Sequence, residues 1–134
     1  MIRAPLVPSA SRALGHGFVA ILLAAAPVLA QAADAVRGAD VFDANCAECH
    51  SVAKTLKNKK GPSLFGVVGR TAGTVAGYEY SEAMHRAGFV WDAERLDAYL
   101  AHPKAVVPGD KMKFDGLDSR EERADVIAFL DERK

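Results

Sequence analysis

Cysteine is scarce in this sequence, with two among 134 residues. Two thiols cannot staple a disulfide-built scaffold, and an iron–sulfur cluster takes four thiolates. Long apolar runs are missing too: no stretch approaches the roughly 20 residues that a bilayer-spanning helix requires. Neither sign of charge dominates, since 17 Lys and Arg face 17 Asp and Glu. A dedicated nucleic-acid binder usually carries a net basic face, so that class is disfavoured. Alternating strand patterns of useful length, internal repeats and low-complexity tracts are absent from the chain after residue 33. What remains is half apolar and a quarter charged, the ordinary composition of a globular protein, at a length that suits one domain.

The first 33 residues read as an address. Arg3 and Arg12 give a positive start, and no acid precedes Asp34. Phe18 to Ala30 is then apolar throughout, and Ala30-Gln31-Ala32 fits the small-residue cleavage pattern, with Ala33 as an alternative exit. These are the three parts of a secretory signal. The competing reading is an uncleaved anchor or a buried helix. Against it, the apolar core is short and Pro27 interrupts it. No cysteine lies in the exit region, which disfavours a lipid anchor. The expected organisation is thus a cleaved signal at 1–33 and one domain at 34–134, exported to the periplasm. Loss of Arg3 and Arg12 leaves 15 basic against 17 acidic side chains. A domain of about a hundred residues has a modest core and often needs a cofactor, metal or disulfide as a staple.

The domain reads as all-α, helical at both ends and loop-rich between. Asp34 to about Cys46 is a first helix, with Val36, Ala39, Phe42 and Cys46 at helical spacing. Ser81 to about Ala87 is a short one that Gly88 ends, and Asp92 to about His102 is another that Pro103 stops. Ser119-Arg120-Glu121-Glu122 is a capping box ahead of a last helix bearing Val126, Ile127, Phe129 and Leu130. Between Lys60 and Gly77 glycines and Pro62 leave few helix signals.

Cys46-Ala47-Glu48-Cys49-His50 carries the chemistry. C-x-x-C-H is the attachment signal for c-type haem. Two thiols three residues apart at a helix end can each bond one vinyl group of the same porphyrin. His50, one residue on, can then point its imidazole at the iron. A disulfide would explain the cysteines but not the histidine. Zinc would need a fourth ligand such as His85 or His102, and adjacent Cys49 and His50 rarely both reach one tetrahedral ion. For the other axial position the chain offers Met84, Met112, His85 and His102. Met112 is favoured because it sits in an irregular segment, Pro108 to Phe114, that is free to fold over the other haem face. Met84 lies in a predicted helix, where core packing explains a methionine equally well.

With these residues in view, the domain resembles the soluble class I c-type cytochromes, especially mitochondrial-type cytochrome c and its bacterial relatives. The landmarks run in order through Gly38 and Phe42, the haem motif, Gly61-Pro62-Ser63-Leu64-Phe65-Gly66, Gly69-Arg70, Gly77-Tyr78-Glu79-Tyr80, Trp91, Tyr99-Leu100, Pro103-Lys104, Pro108-Gly109, Lys111-Met112 and Phe129. The resemblance implies a small cytochrome c fold, with the first and last helices crossing at Gly38, and one covalent haem c. Cys46 and Cys49 would bond it, and His50 and Met112 would ligate the iron. The Pro62 carbonyl would accept a hydrogen bond from Nδ1 of His50, and Tyr99 would place its hydroxyl near the Met112 sulfur. Arg70, Tyr80 and Trp91 would satisfy the haem propionates, although for Trp91, Tyr99 and Phe42 plain core packing is an alternative. Met84, Ala72 and Asp110 depart from the polar residues common at their positions, and a carboxylate at Asp110 would repel a propionate unless one of the two is protonated or Asp110 turns outward.

The implied activity is one-electron transfer with no catalytic residues of the chain's own. Lys54, Lys57, Lys59, Lys60, Lys104, Lys111 and Lys113 would border the exposed haem edge and steer docking onto acidic redox partners, while acids gather at 92–97 and 115–132. Surface lysines that merely solubilise are the alternative. Asn45 and Ala105 stand where relatives often carry lysine, so the basic face is weak. A haem enzyme or gas sensor would need Met112 to leave the iron, and a fixed subunit of a dehydrogenase would keep the same chemistry. Nothing in the sequence asks for more than a monomer.

Overall fold

The computed structural model describes residues 31–134. Almost the whole expected signal segment, including Phe18–Ala30, lies outside the described residues. Five helices follow in order: α1 (Ala35–Asn45), α2 (Glu82–Ala87), α3 (Ala93–Ala101), α4 (Pro103–Val106) and α5 (Arg120–Asp131). Among the described residues the only β pairing is an isolated bridge between Thr71 and Val90, and no helix is long and apolar enough to cross a membrane.

Each longer helix starts where a short polar side chain can accept the first backbone N–H groups. Asp34 accepts from Val36 and Arg37, Ser81 from Met84, Asp92 from Arg95 and Ser119 from Glu122. Gly88 ends α2 in the left-handed conformation that glycine adopts without strain. Pro103 does more than stop α3. It occupies the first turn of α4, where its missing N–H costs nothing.

α1 and α5 cross with almost no space between them. A Cβ built on Gly38 would lie 2.0 Å from the carbonyl oxygen of Asp125, so only glycine permits this approach. The Phe42 and Phe129 rings meet beside the crossing at 5.4 Å. Asp125, 2% exposed, closes one end of the interface. Its carboxylate accepts from the Asp34 N–H at 2.6 Å and from Nε and an Nη of Arg37 at 2.8 and 3.1 Å. That pairing holds the Asp125 carboxyl below the usual carboxylate range, with burial opposing it. Gly116 allows a second close approach, since a Cβ there would lie 2.1 Å from the Ala101 carbonyl.

The helix-poor segment from Ser51 to Tyr80 is held by scattered backbone bonds and by hydrogen bonds from side chains. Asn58 accepts from the Ser63 N–H at 2.9 Å and donates to the Ala76 carbonyl at 3.0 Å. Arg70 donates to the carbonyls of Phe65 and Ser63, each at 2.8 Å. These contacts curl the segment around a central cavity instead of filling it.

Candidate functional site

The cavity measures about 410 Å³ and is walled largely by apolar side chains, among them Leu64, Val67, Leu96 and Leu100. Its lining brings together all nine residues expected to hold a cofactor. Cys46, Cys49 and His50 arrive from the end of α1, and Pro62 and Arg70 from the long loop. Tyr80, Trp91, Tyr99 and Met112 complete the set. His85 and His102, the other histidines of the domain, are not in that lining.

Local backbone bonding explains how the haem motif is presented. The chain leaves α1 in a tight turn, with Cys49 and His50 both donating to the Cys46 carbonyl at 3.0 and 2.8 Å. The strand of loop that follows Lys60 is then stitched to it. Gly61 donates to the Cys49 carbonyl and Leu64 to that of Ser51, each at 2.8 Å. This stitching brings the Pro62 carbonyl to 2.8 Å from Nδ1 of His50. Gly61 is obligatory for the approach, because a Cβ there would lie 2.4 Å from Cε1 of the imidazole. Burial lowers the His50 pKa, partly offset by the Pro62 bond, so the ring is neutral at physiological pH. Nδ1 is then the donor to Pro62, and Nε2 is the nitrogen left for a metal.

Cys46 and Cys49 are half-buried and are not joined to each other by a disulfide. Burial, with Cys49 adding to it, pushes the Cys46 thiol up to about 11. Zinc has no natural cluster to occupy: among the described residues no three His, Cys, Asp or Glu side chains converge on a point.

Met112 reaches the cavity from the segment after α4. Val107 accepts from the Asp110 N–H at 3.0 Å, with Pro108 and Gly109 between them and Gly109 at φ +92°. This is the type II pattern, which needs a glycine at its third position. The Tyr99 hydroxyl lies 3.9 Å from the Met112 sulfur and donates to Asp110. Trp91 packs edge-on against Tyr99 at 4.8 Å, and its backbone pairs with Gly69 and Arg70 beside the Thr71–Val90 bridge.

The residues expected around the propionates line the cavity, but the polar atoms of two are already engaged. Arg70 is turned onto the Phe65 and Ser63 carbonyls, which fixes its positive charge at the wall. The Tyr80 hydroxyl accepts from the Val75 N–H at 3.3 Å, and burial raises its pKa. Met84 is buried and lines the same cavity, so the predicted short helix α2 contributes a second thioether. Three of the expected lysines, Lys60, Lys111 and Lys113, lie in the lining. Lys60 pairs with Glu48, an acid inside the haem motif itself, and Lys111 sits over the Tyr78 ring at 4.8 Å.

Gly61 stood among the sequence landmarks without a role, and the close approach of His50 supplies it. Sequence reasoning missed the carbonyl partners of Arg70 and the Glu48–Lys60 pair. Both depend on loop paths that no local pattern encodes.

An apolar cavity edged by two thiols, one imidazole with Nε2 unengaged and two thioethers is chemically suited to an iron porphyrin: soft sulfur and imidazole donors for the metal and apolar walls for the macrocycle. Comparisons with known proteins agree. The sequence profile described as Cytochrome c matches residues 35–134. Cytochrome c2 of Rhodomicrobium vannielii is 52% identical over 99 residues, 74% of this chain and 78% of that protein. Cytochrome c of Guizotia abyssinica is 46% identical over 101 residues, 75% of this chain and 91% of that protein. The solved structure of cytochrome cH from Methylobacterium extorquens superposes with a TM-score of 0.69 at 41% identity, covering 74% of this chain and 98% of that one. The chain is therefore a member of the cytochrome c family, electron carriers built around a covalently bound haem c and its iron.

Proposed function

We propose that residues 34–134 are a soluble, monomeric one-electron shuttle of the bacterial periplasm, released from a signal peptide at 1–33. In this reading Cys46 and Cys49 carry the two thioether bonds, and His50 and Met112 are the axial ligands. The haem supplies exchange of a single electron between the ferrous and ferric states. The chain's own residues bind it, orient its ligands and keep water from the iron.

The observation that carries this reading is the meeting of two distant segments at one cavity. The turn after α1 brings two thiols and an imidazole, and the turn after α4 brings a thioether. Pro62 holds His50 in one tautomer. Soft thioether sulfur favours ferrous iron, so a His/Met pair gives a higher potential than two histidines. Two protein ligands leave no open position for a substrate, which favours a carrier over an enzyme or gas sensor. Arg70, Tyr80 and Trp91 form the polar part of the wall, where a propionate needs compensation. Electrons pass through brief contacts at a haem edge bordered by Lys60, Lys111 and Lys113, with redox proteins of acidic surface as donor and acceptor.

The test is expression of the whole chain in a bacterium that matures c-type cytochromes. The expected periplasmic product starts near Ala33 or Asp34 and carries one haem by mass. It shows a far-red methionine-to-iron charge-transfer band when oxidised. A colourless product, or a high-spin one that binds carbon monoxide rapidly, overturns the reading.

A further inference from the structure

Asp110 is the residue of the Met112 segment whose chemistry the proposed function leaves unused. It lines the cavity and is half-buried, yet its carboxylate is turned onto the protein. Oδ1 accepts from the backbone N–H of Met112 at 3.1 Å, and Oδ2 accepts from the Tyr99 hydroxyl. The same hydroxyl lies 3.9 Å from the Met112 sulfur, so two acceptors compete for it. A phenol has one proton to donate, and a carboxylate is a much stronger acceptor than a thioether.

We propose that Asp110 is the positioning residue of the methionine arm: it ties down the Met112 backbone and draws the Tyr99 proton away from the Met112 sulfur. The two actions work together. Fixing the backbone holds the thioether at the cavity wall. Taking the proton leaves both sulfur lone pairs free of hydrogen bonding, so sulfur donation to a metal is undiminished. The double engagement turns both carboxylate oxygens onto protein donors. The inference rests on Met112 being the ligand proposed above.

Imidazole added to the oxidised holoprotein competes with Met112 for the iron, and loss of the far-red band reads its affinity. Asp110→Ala removes both bonds. The expected result is an imidazole affinity raised about tenfold, the worth of one hydrogen bond to a charged group. Asp110→Asn separates the two actions. Its carbonyl can keep the Met112 N–H, while its amide must donate to the Tyr99 oxygen and so turns the phenol proton toward sulfur. Affinity should then rise about threefold, and adding Tyr99→Phe should cancel that rise. The proposal is overturned if Asp110→Ala binds imidazole within twofold of the unmodified protein, or if the Asp110→Asn effect is the same with and without Tyr99→Phe. Should Asp110→Ala fail to fold, the Asp110→Asn pair decides alone. Absence of the far-red band from the unmodified protein defeats Met112 as ligand; a band present but indifferent to Asp110 defeats only the positioning role.

Discussion

The carbonyl of Pro62 accepts a hydrogen bond from Nδ1 of His50 at 2.8 Å, and Gly61 is the reason it can. A Cβ at that position would lie 2.4 Å from the imidazole, far inside contact distance. Gly61→Ala should therefore push His50 out of line without touching either cysteine. We expect a protein that keeps its covalent haem but loses much of the low-spin spectrum, with a carbon monoxide rate far above that of the unmodified protein. Absorption spectra and stopped-flow mixing with carbon monoxide check this. An unchanged spectrum would mean that the loop yields instead of the ring.

The helix crossing makes a similar demand at Gly38. There the obstacle is the backbone carbonyl of Asp125 at 2.0 Å from a would-be Cβ, with Phe129 Cβ at 2.8 Å. Backbone cannot repack, so α1 and α5 must separate. Gly38→Ala should cost about 3 kcal/mol, the upper part of the range for overpacking a core, and denaturant titration of the holoprotein measures it. The optical spectrum should persist, because Gly38 is not among the cavity residues.

Both glycines bear on how far the sequence alone reveals this molecule. The caps at Asp34, Ser81, Asp92 and Ser119 are local: each residue meets the N–H groups two or three positions ahead, so the helix starts were legible. The haem motif was legible for the same reason, since its geometry is set within five residues. The crossing at Gly38 and the Pro62–His50 bond came through resemblance, because they depend on partners far along the chain, whereas the arrival of Met112 at the cavity was suggested by its irregular Pro–Gly segment. The α4 turn was lost, since Pro103 signals both the end of one helix and the start of another. Orientation of the polar groups was not legible at all. Arg70 could have been aimed into the cavity, and only the path of the Ser63–Phe65 loop turns it onto two carbonyls. Asp110 likewise gave no sign in the sequence that its oxygens are taken by the Tyr99 hydroxyl and the Met112 N–H.

Asp125 couples the fold to pH. Its carboxyl is held below the usual carboxylate range by the Arg37 hydrogen bonds, and by the Asp34 N–H. A group whose folded-state pKa is depressed adds stability that is present above its unfolded value and is lost as pH falls through the folded one. Asp125→Asn should consequently be less stable than the unmodified protein at pH 7, and the gap should close as the medium is acidified below the ordinary carboxylate range. Urea melts at pH 7 and pH 3 give the comparison. A gap of equal size at both values would assign the loss to packing alone.

Docking through the lysine edge predicts a salt signature. Lys113 is exposed and lies in the cavity lining beside Met112. Glu48 already pairs with Lys60, so a charge reversal at Lys113 removes a sizeable part of the remaining basic face. On an electrode carrying carboxylate-terminated chains, electron exchange should slow as ionic strength rises and the Debye length shrinks from about 10 Å toward 3 Å. Lys113→Glu should exchange severalfold more slowly at low salt and equally at high salt. Rates independent of salt would rule out steering by this face.

Two thioethers line the same cavity, and they should fail differently. Met84 is buried in α2 behind the Ser81 cap, whereas Met112 is only half-buried on a turn held by Asp110. If Met84 serves packing, Met84→Ala leaves a void and costs about 2–4 kcal/mol, as for other buried methionines, while the far-red band survives. If Met112 serves the iron, Met112→Ala reverses the pattern: the band disappears, the potential falls with the loss of the sulfur ligand, and the iron opens to carbon monoxide. Thermal melts and redox titration of both variants distinguish the roles, and retention of the band in Met112→Ala would hand the ligand position to Met84.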